Sequence, residues 1–125
     1  MSKAAYWQRG EALDYVNTGT QKIEANTVIV LGSRIGVAGM EISPGETGTL
    51  HVTGVYSIPK GSTEIPAGSD VYYSEADGEI TTAATVTIPA KEGESESSTV
   101  KNVKAGFACE GASASDTTVL VKINA

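Results

Sequence analysis

Few residues in this chain have the type and spacing that chemistry demands. The only histidine, His51, lies between Leu50 and Val52. A zinc-type metal needs several His, Cys or carboxylate donors, and His51 has no such neighbours in sequence. The only cysteine, Cys109, sits in the stretch GFACEG. A single cysteine allows no intrachain disulfide. With no cation nearby to favour a thiolate, Cys109 reads as a small buried hydrophobe. His51 is its only possible imidazole partner. A Ser-His-Asp triad is spatial and escapes a spacing test, but the nucleophile elbow G-x-S-x-G is missing. Glu75, Asp77 and Glu79 alternate across an Asp-Gly turn without the ligand spacing of an EF-hand loop, and read as a solvated hairpin tip. Gly32, Gly36 and Gly39 of GSRIGVAG match neither G-x-G-x-x-G nor a Walker A loop. They read as turns and sites of close backbone approach. The expectation is therefore no enzyme, no metal and no cofactor.

Side chains with so little catalytic pattern must serve a scaffold, and the sequence describes that scaffold well. The 125 residues, 40% of them hydrophobic, make one ordinary domain with enough core to fold without disulfides or metal. Fourteen glycines and four prolines interrupt the chain too often for long helices. Between them lie short β-branched or aromatic runs. Candidate strands cover 11–16, 27–31, 34–38, 48–52, 55–58, 71–74, 79–82, 85–88, 102–109 and 117–123. About ten short strands with turn signals between them predict an all-β antiparallel barrel or sandwich. Period-two alternation sets Val119, Val121 and Ile123 against Thr118, Leu120 and Lys122, and Leu50 and Val52 against Thr49 and His51. Asp77-Gly78 marks a hairpin, because its turn needs positive φ. The segment from Ile23 to Val28 echoes that from Ile65 to Val71, each a turn launching a strand. Two occurrences are too few for a solenoid and are explained by chance or by two similar turns.

The formal net charge is −6, and the nine Lys and Arg residues are scattered. Nucleic acid binding requires a basic stripe, so no nucleic-acid partner is expected. The longest apolar run, VIVL, is far too short to cross a membrane. The first ten residues lack a signal-peptide core. The protein is expected to be made in the cytoplasm and to stay soluble. Residues 1–9 carry Tyr6 and the only tryptophan, Trp7, without strand pattern. They read as an arm, and Tyr6, Trp7 and Arg9 are the candidate contact residues for a partner or a sister subunit. Residues 91–99 are rich in Glu and Ser and read as an exposed acidic loop.

Several short motifs recur in a set order. They are Gly10-Glu11-Ala12-Leu13-Asp14-Tyr15, Ile35-Gly36-Val37-Ala38, Gly45-Glu46-Thr47-Gly48, Gly54-Val55-Tyr56 and Pro59-Lys60. The Ala67-Gly68 turn with Val71-Tyr72, Ala105-Gly106 and Asp116-Thr117-Thr118-Val119 follow. In this order the chain resembles, over nearly its whole length, a family of small structural proteins encoded among tailed-phage head genes and regarded as capsid cement, or decoration, proteins. It departs from the family in its Glu/Ser-rich insert and in Asn26, where the family usually has glycine. The resemblance implies a compact β-barrel-like fold, related by fold-level analogy to the β-clip or β-tulip of lambda-type decoration proteins. It implies binding to the major capsid protein on the outer surface of the virion. It also implies a homo-oligomer on shell symmetry axes, a trimer before a dimer. A phage tail or baseplate subunit, or a host-surface adhesion module, is the competing reading.

Overall fold

The computed structural model describes residues 2–88, 90, 92–93 and 98–125. The fold is all-β, as the alternation predicts. The strands are β1 (Ala12–Val16), β2 (Val28–Leu31), β3 (Arg34–Ala38), β4 (Thr47–His51), β5 (Val55–Pro59), β6 (Asp70–Ser74), β7 (Glu79–Thr81), β8 (Thr85–Ile88), β9 (Ser98–Lys101), β10 (Val103–Ala108) and β11 (Thr118–Ile123). They form one sheet of order β1-β4-β3-β2, a second of order β5-β11-β10-β6-β7, and a separate ribbon β8-β9, antiparallel throughout. No sheet closes into a barrel among the described residues, so the arrangement is sandwich-like.

The two sheets are copies of one unit. Strands β1, β2, β3 and β4 take the order that β5, β6, β10 and β11 take in the second sheet, and β7, β8 and β9 form an insertion between β6 and β10. Most of the backbone hydrogen bonds of one unit recur in the other. The N–H of Asn26 donates to Ala38 O, and that of Gly68 to Ala108 O. Ala38 N–H donates to Thr27 O, and Ala108 N–H to Ser69 O. Asn17 N–H donates to Glu46 O, and Lys60 N–H to Thr117 O. Bridges Ile23↔Ile42 and Ile65↔Ala112 pin matching loops. The echo read in the sequence thus belongs to a whole duplicated unit. Asn26 (φ 69°) adopts the left-handed conformation that Gly68 (φ 80°) takes in the twin, which Asn tolerates better than most residues.

Matching positions also carry compensating side chains. Gly48 leaves room for Ile42, whose side chain occupies the space a Cβ there would need. The twin positions hold the opposite pair, Val119 and Ala112. Each unit buries one polar side chain after its first strand. Asn17 Nδ2 donates to Gln21 O (2.8 Å) and Ile42 O (3.0 Å). Lys60 Nζ donates to the carbonyls of Gly61 (2.8 Å), Ser113 (2.8 Å) and Asp116 (3.0 Å), which uses all three ammonium donors.

Residues 34–38 show how the units join. Gly36 and Ala38 share a face with Leu50, inside the first unit. Ile35 and Val37 point the other way, into a cluster with Ile58, Ile65, Val71, Ile80, Val119, Val121 and Ile123 of the second unit. Asn124 straps the joint: its Nδ2 donates to Ile35 O (2.7 Å) and Val52 O (2.8 Å), and its Oδ1 accepts from Ile35 N–H (3.3 Å).

Three local expectations are refined. The Asp77-Gly78 hairpin forms, but as a four-residue loop in which only Gly78 has positive φ (69°), and its N–H donates to Ser74 O at 2.7 Å. Asp77 instead accepts from the Ser74 hydroxyl at 3.2 Å. Strand β9 was absent from the sequence-based set, because Ser98–Lys101 is exposed throughout and gains its order from register with β8 alone. Of the acidic segment 91–99, residues 91 and 94–97 lie outside the described residues; Glu92, Gly93, Ser98 and Thr99 are exposed.

Candidate functional site

Residues 2–9 precede β1 without regular structure, and every one is exposed. The segment SKAAYWQR has no alternation that would seat one face on a sheet. Tyr6 is 84% and Trp7 88% exposed, so neither ring covers its own domain. Leaving two aromatic rings in water forgoes about 2 kcal/mol of burial each. Both bury large area with few rotors, which makes them good anchors once a partner arrives. Lys3 and Arg9 are the segment's charges, and it has no acid. The arm is thus cationic and aromatic on an acidic body. The structure places Tyr6, Trp7 and Arg9 on one irregular segment of chain and leaves all three solvent-facing.

The remaining chemical candidates do not converge. His51 belongs to β4, opposite Ala12 and Val37, with its ring packed where Gly39 has no side chain. Cys109 follows β10 in the other sheet and is half-buried rather than buried, because its backbone sits at the rim, bonded to Leu120 O at 2.9 Å. Among the described residues no three His, Cys, Asp or Glu side chains are grouped to hold a metal. A cleft of about 370 Å³ lies between the β8-β9 ribbon and the second sheet, lined by Tyr73, Glu75, Val86, Val100 and Val103 among others. Burial, reinforced by the Glu75 carboxylate, pushes the Tyr73 phenol above its ordinary value.

One surface went unnoticed in the sequence. On the outer face of the second sheet, Val55 (54% exposed) and Phe107 both pair in register with Lys122, and Leu120 stands two residues away on the same face. The Lys122 ammonium lies 6.0 Å from the Phe107 ring centroid, a cation–π distance. The signal was present in the alternation of the last strand, which puts apolar Leu120 on the polar side.

A duplicated β-sandwich with an exposed aromatic arm is the frame of a binding and structural module. The match to known families agrees: residues 7–123 fit the model of phage cement proteins, so the chain belongs to the phage cement protein family. No curated protein and no solved structure matches it. Its role is accordingly that of a bacteriophage capsid cement protein, a structural class.

Proposed function

We propose that this protein seats on the outer surface of the mature, expanded phage head, bound to the major capsid protein, and holds the shell together as a homotrimer at local three-fold positions, with its N-terminal arm as a contact to the shell or to a sister subunit. The observation that carries this reading is the pairing of family membership with an arm whose Tyr6, Trp7 and Arg9 are left in water. The net charge of −6 and the scattered cations suit a surface away from packaged DNA. A closed ring of three meets a local three-fold with identical contacts; a dimer on local two-folds is the alternative.

Stabilisation follows from mass action. A ligand that binds the expanded lattice but not its disrupted form adds about 2.7 kcal/mol per site when free protein is at roughly 100 Kd. Many sites sum over one shell. The contact must discriminate between the states, since equal affinity shifts nothing. Expanded heads therefore bind the protein and unexpanded procapsids bind it poorly. The test strips particles, heats or osmotically shocks them, and measures DNA release with and without added protein. Restored resistance by the full chain, and none by a folded chain lacking residues 1–9, is the expected result. Equal survival of stripped and decorated particles would refute the cement mechanism and favour an adhesion role on the same surface.

A further inference from the structure

The two units differ in one respect that bears on binding. In the second, β7 runs beside β6 in the register Tyr72↔Thr81, Tyr73↔Ile80 and Ser74↔Glu79, and Ile80 also bridges Lys60 just after β5. β7 thereby extends the β6 end of its sheet and touches the β5 end through that single bridge, and Ile80 is 1% exposed. In the first unit β2 stands where β6 stands, Val30 takes the place of Tyr72, and among the described residues no strand lies beyond it.

The missing strand shows in the burial. Ile58, Ile65 and Val71 of the second unit are fully buried, whereas their counterparts Tyr15, Ile23 and Ile29 are only half-buried. Leu31, the counterpart of Tyr73 opposite Ile80, is 39% exposed. The edge itself is the run Val28–Leu31, with no proline, lysine or bulge to turn another strand away. Because Ala38 N–H donates to Thr27 O, ladder alternation directs Ile29 and Leu31 toward β3 and leaves the N–H and C=O of Val28 and Val30 facing outward. The arm is the complementary element: a segment exposed throughout, with adjacent aromatics and only positive charge, on a chain that is otherwise acidic. With Trp7 88% exposed, the arm does not fill the edge of its own chain.

We propose that the open edge of β2 receives the N-terminal arm of a second copy as an added strand, with Trp7 taking the place that Ile80 holds in the twin unit and covering Ile29 and Leu31. The main chain supplies the hydrogen bonds and the alternate side chains supply the fit, as in strand addition generally. Arm and edge are different surfaces, so the contact is heterologous and closes as a ring or as a reciprocal pair. The inference concerns copies of this chain and stands whether or not the shell reading does.

Trp7 is the only tryptophan, so its emission reports the event directly. The full chain is followed across concentration by equilibrium sedimentation, tryptophan emission and amide hydrogen exchange. Association with a blue shift of Trp7 and slowed exchange at Val28 and Val30 is expected, and Val30→Pro or removal of residues 1–9 should leave a folded monomer. A chain that stays monomeric to its solubility limit overturns the proposal. So does association with Trp7 still in water, or association with a blue shift that survives in folded Val30→Pro. Should Val30→Pro fail to fold, exchange at Val28 and Val30 in the unaltered chain decides alone: unchanged rates on association refute strand addition.

Discussion

The duplicated unit can be tested by exchanging a matched pair of side chains. Ile42 is fully buried over Gly48, while the twin positions hold Ala112 and Val119. Ile42→Ala alone removes three carbons from a closed interior, which costs about 2–5 kcal/mol as transfer and cavity. Gly48→Val alone adds three carbons where a Cβ already overlaps Ile42, an overpacking of about 1–3 kcal/mol. Strand propensity returns up to about 1 kcal/mol of that, since Gly48 is a strand residue with an ordinary φ. The double variant restores the carbon count and reproduces the pair that the second unit already packs. It should lie within about 1 kcal/mol of the original chain, a favourable coupling of roughly 3 kcal/mol, at the upper end for touching residues. Urea unfolding of the four proteins, with slopes compared to confirm a shared two-state transition, gives the cycle. If the two losses simply add, Ile42 and Gly48 do not compete for one space, and the equivalence of the units at this position fails.

Three further outcomes follow from single sites. Gly106 has φ 144° and a Cβ there would overlap the Lys122 carbonyl oxygen, whereas Gly68, at φ 80°, faces open space. Gly106→Ala should lower stability by about 3 kcal/mol or more and Gly68→Ala by about 1 kcal/mol, read from denaturant midpoints; similar losses would deny the clash. Lys60→Met strands three carbonyls that now accept from the ammonium, and should cost about 2 kcal/mol or more in the same assay. For Tyr73, burial raises the folded pKa above the ordinary value of 10.0, so its contribution is intact below pH 10 and is lost as pH rises through the folded value. Stability should therefore fall above pH 10, and Tyr73→Phe should flatten that fall; an identical slope in the variant would remove Tyr73 as its source.

What the sequence decided by itself is the local part. Alternation in the last strand alone fixed which side chains face inward: Val119, Val121 and Ile123 are buried and Thr118, Leu120 and Lys122 are not. Glycine and turn chemistry placed the hairpin at Asp77-Gly78, and the unpatterned SKAAYWQR marked the arm, because a segment with no face to bury has nothing to hold it on a sheet. Period-two alternation carries no information about which strands become neighbours, so the tertiary structure decided the rest. Only pairing in space revealed that the Ile23 and Ile65 turns belong to one duplicated unit, since Ile42 over Gly48 and Ala112 with Val119 preserve volume rather than identity. β9 escaped notice for the same reason: its four exposed residues are ordered by the partner strand and not by their own pattern. The bare edge of β2 was equally invisible. VIVL reads only as an apolar strand, and comparison with β6 and its neighbour β7 is needed to show that one side of it has no partner among the described residues.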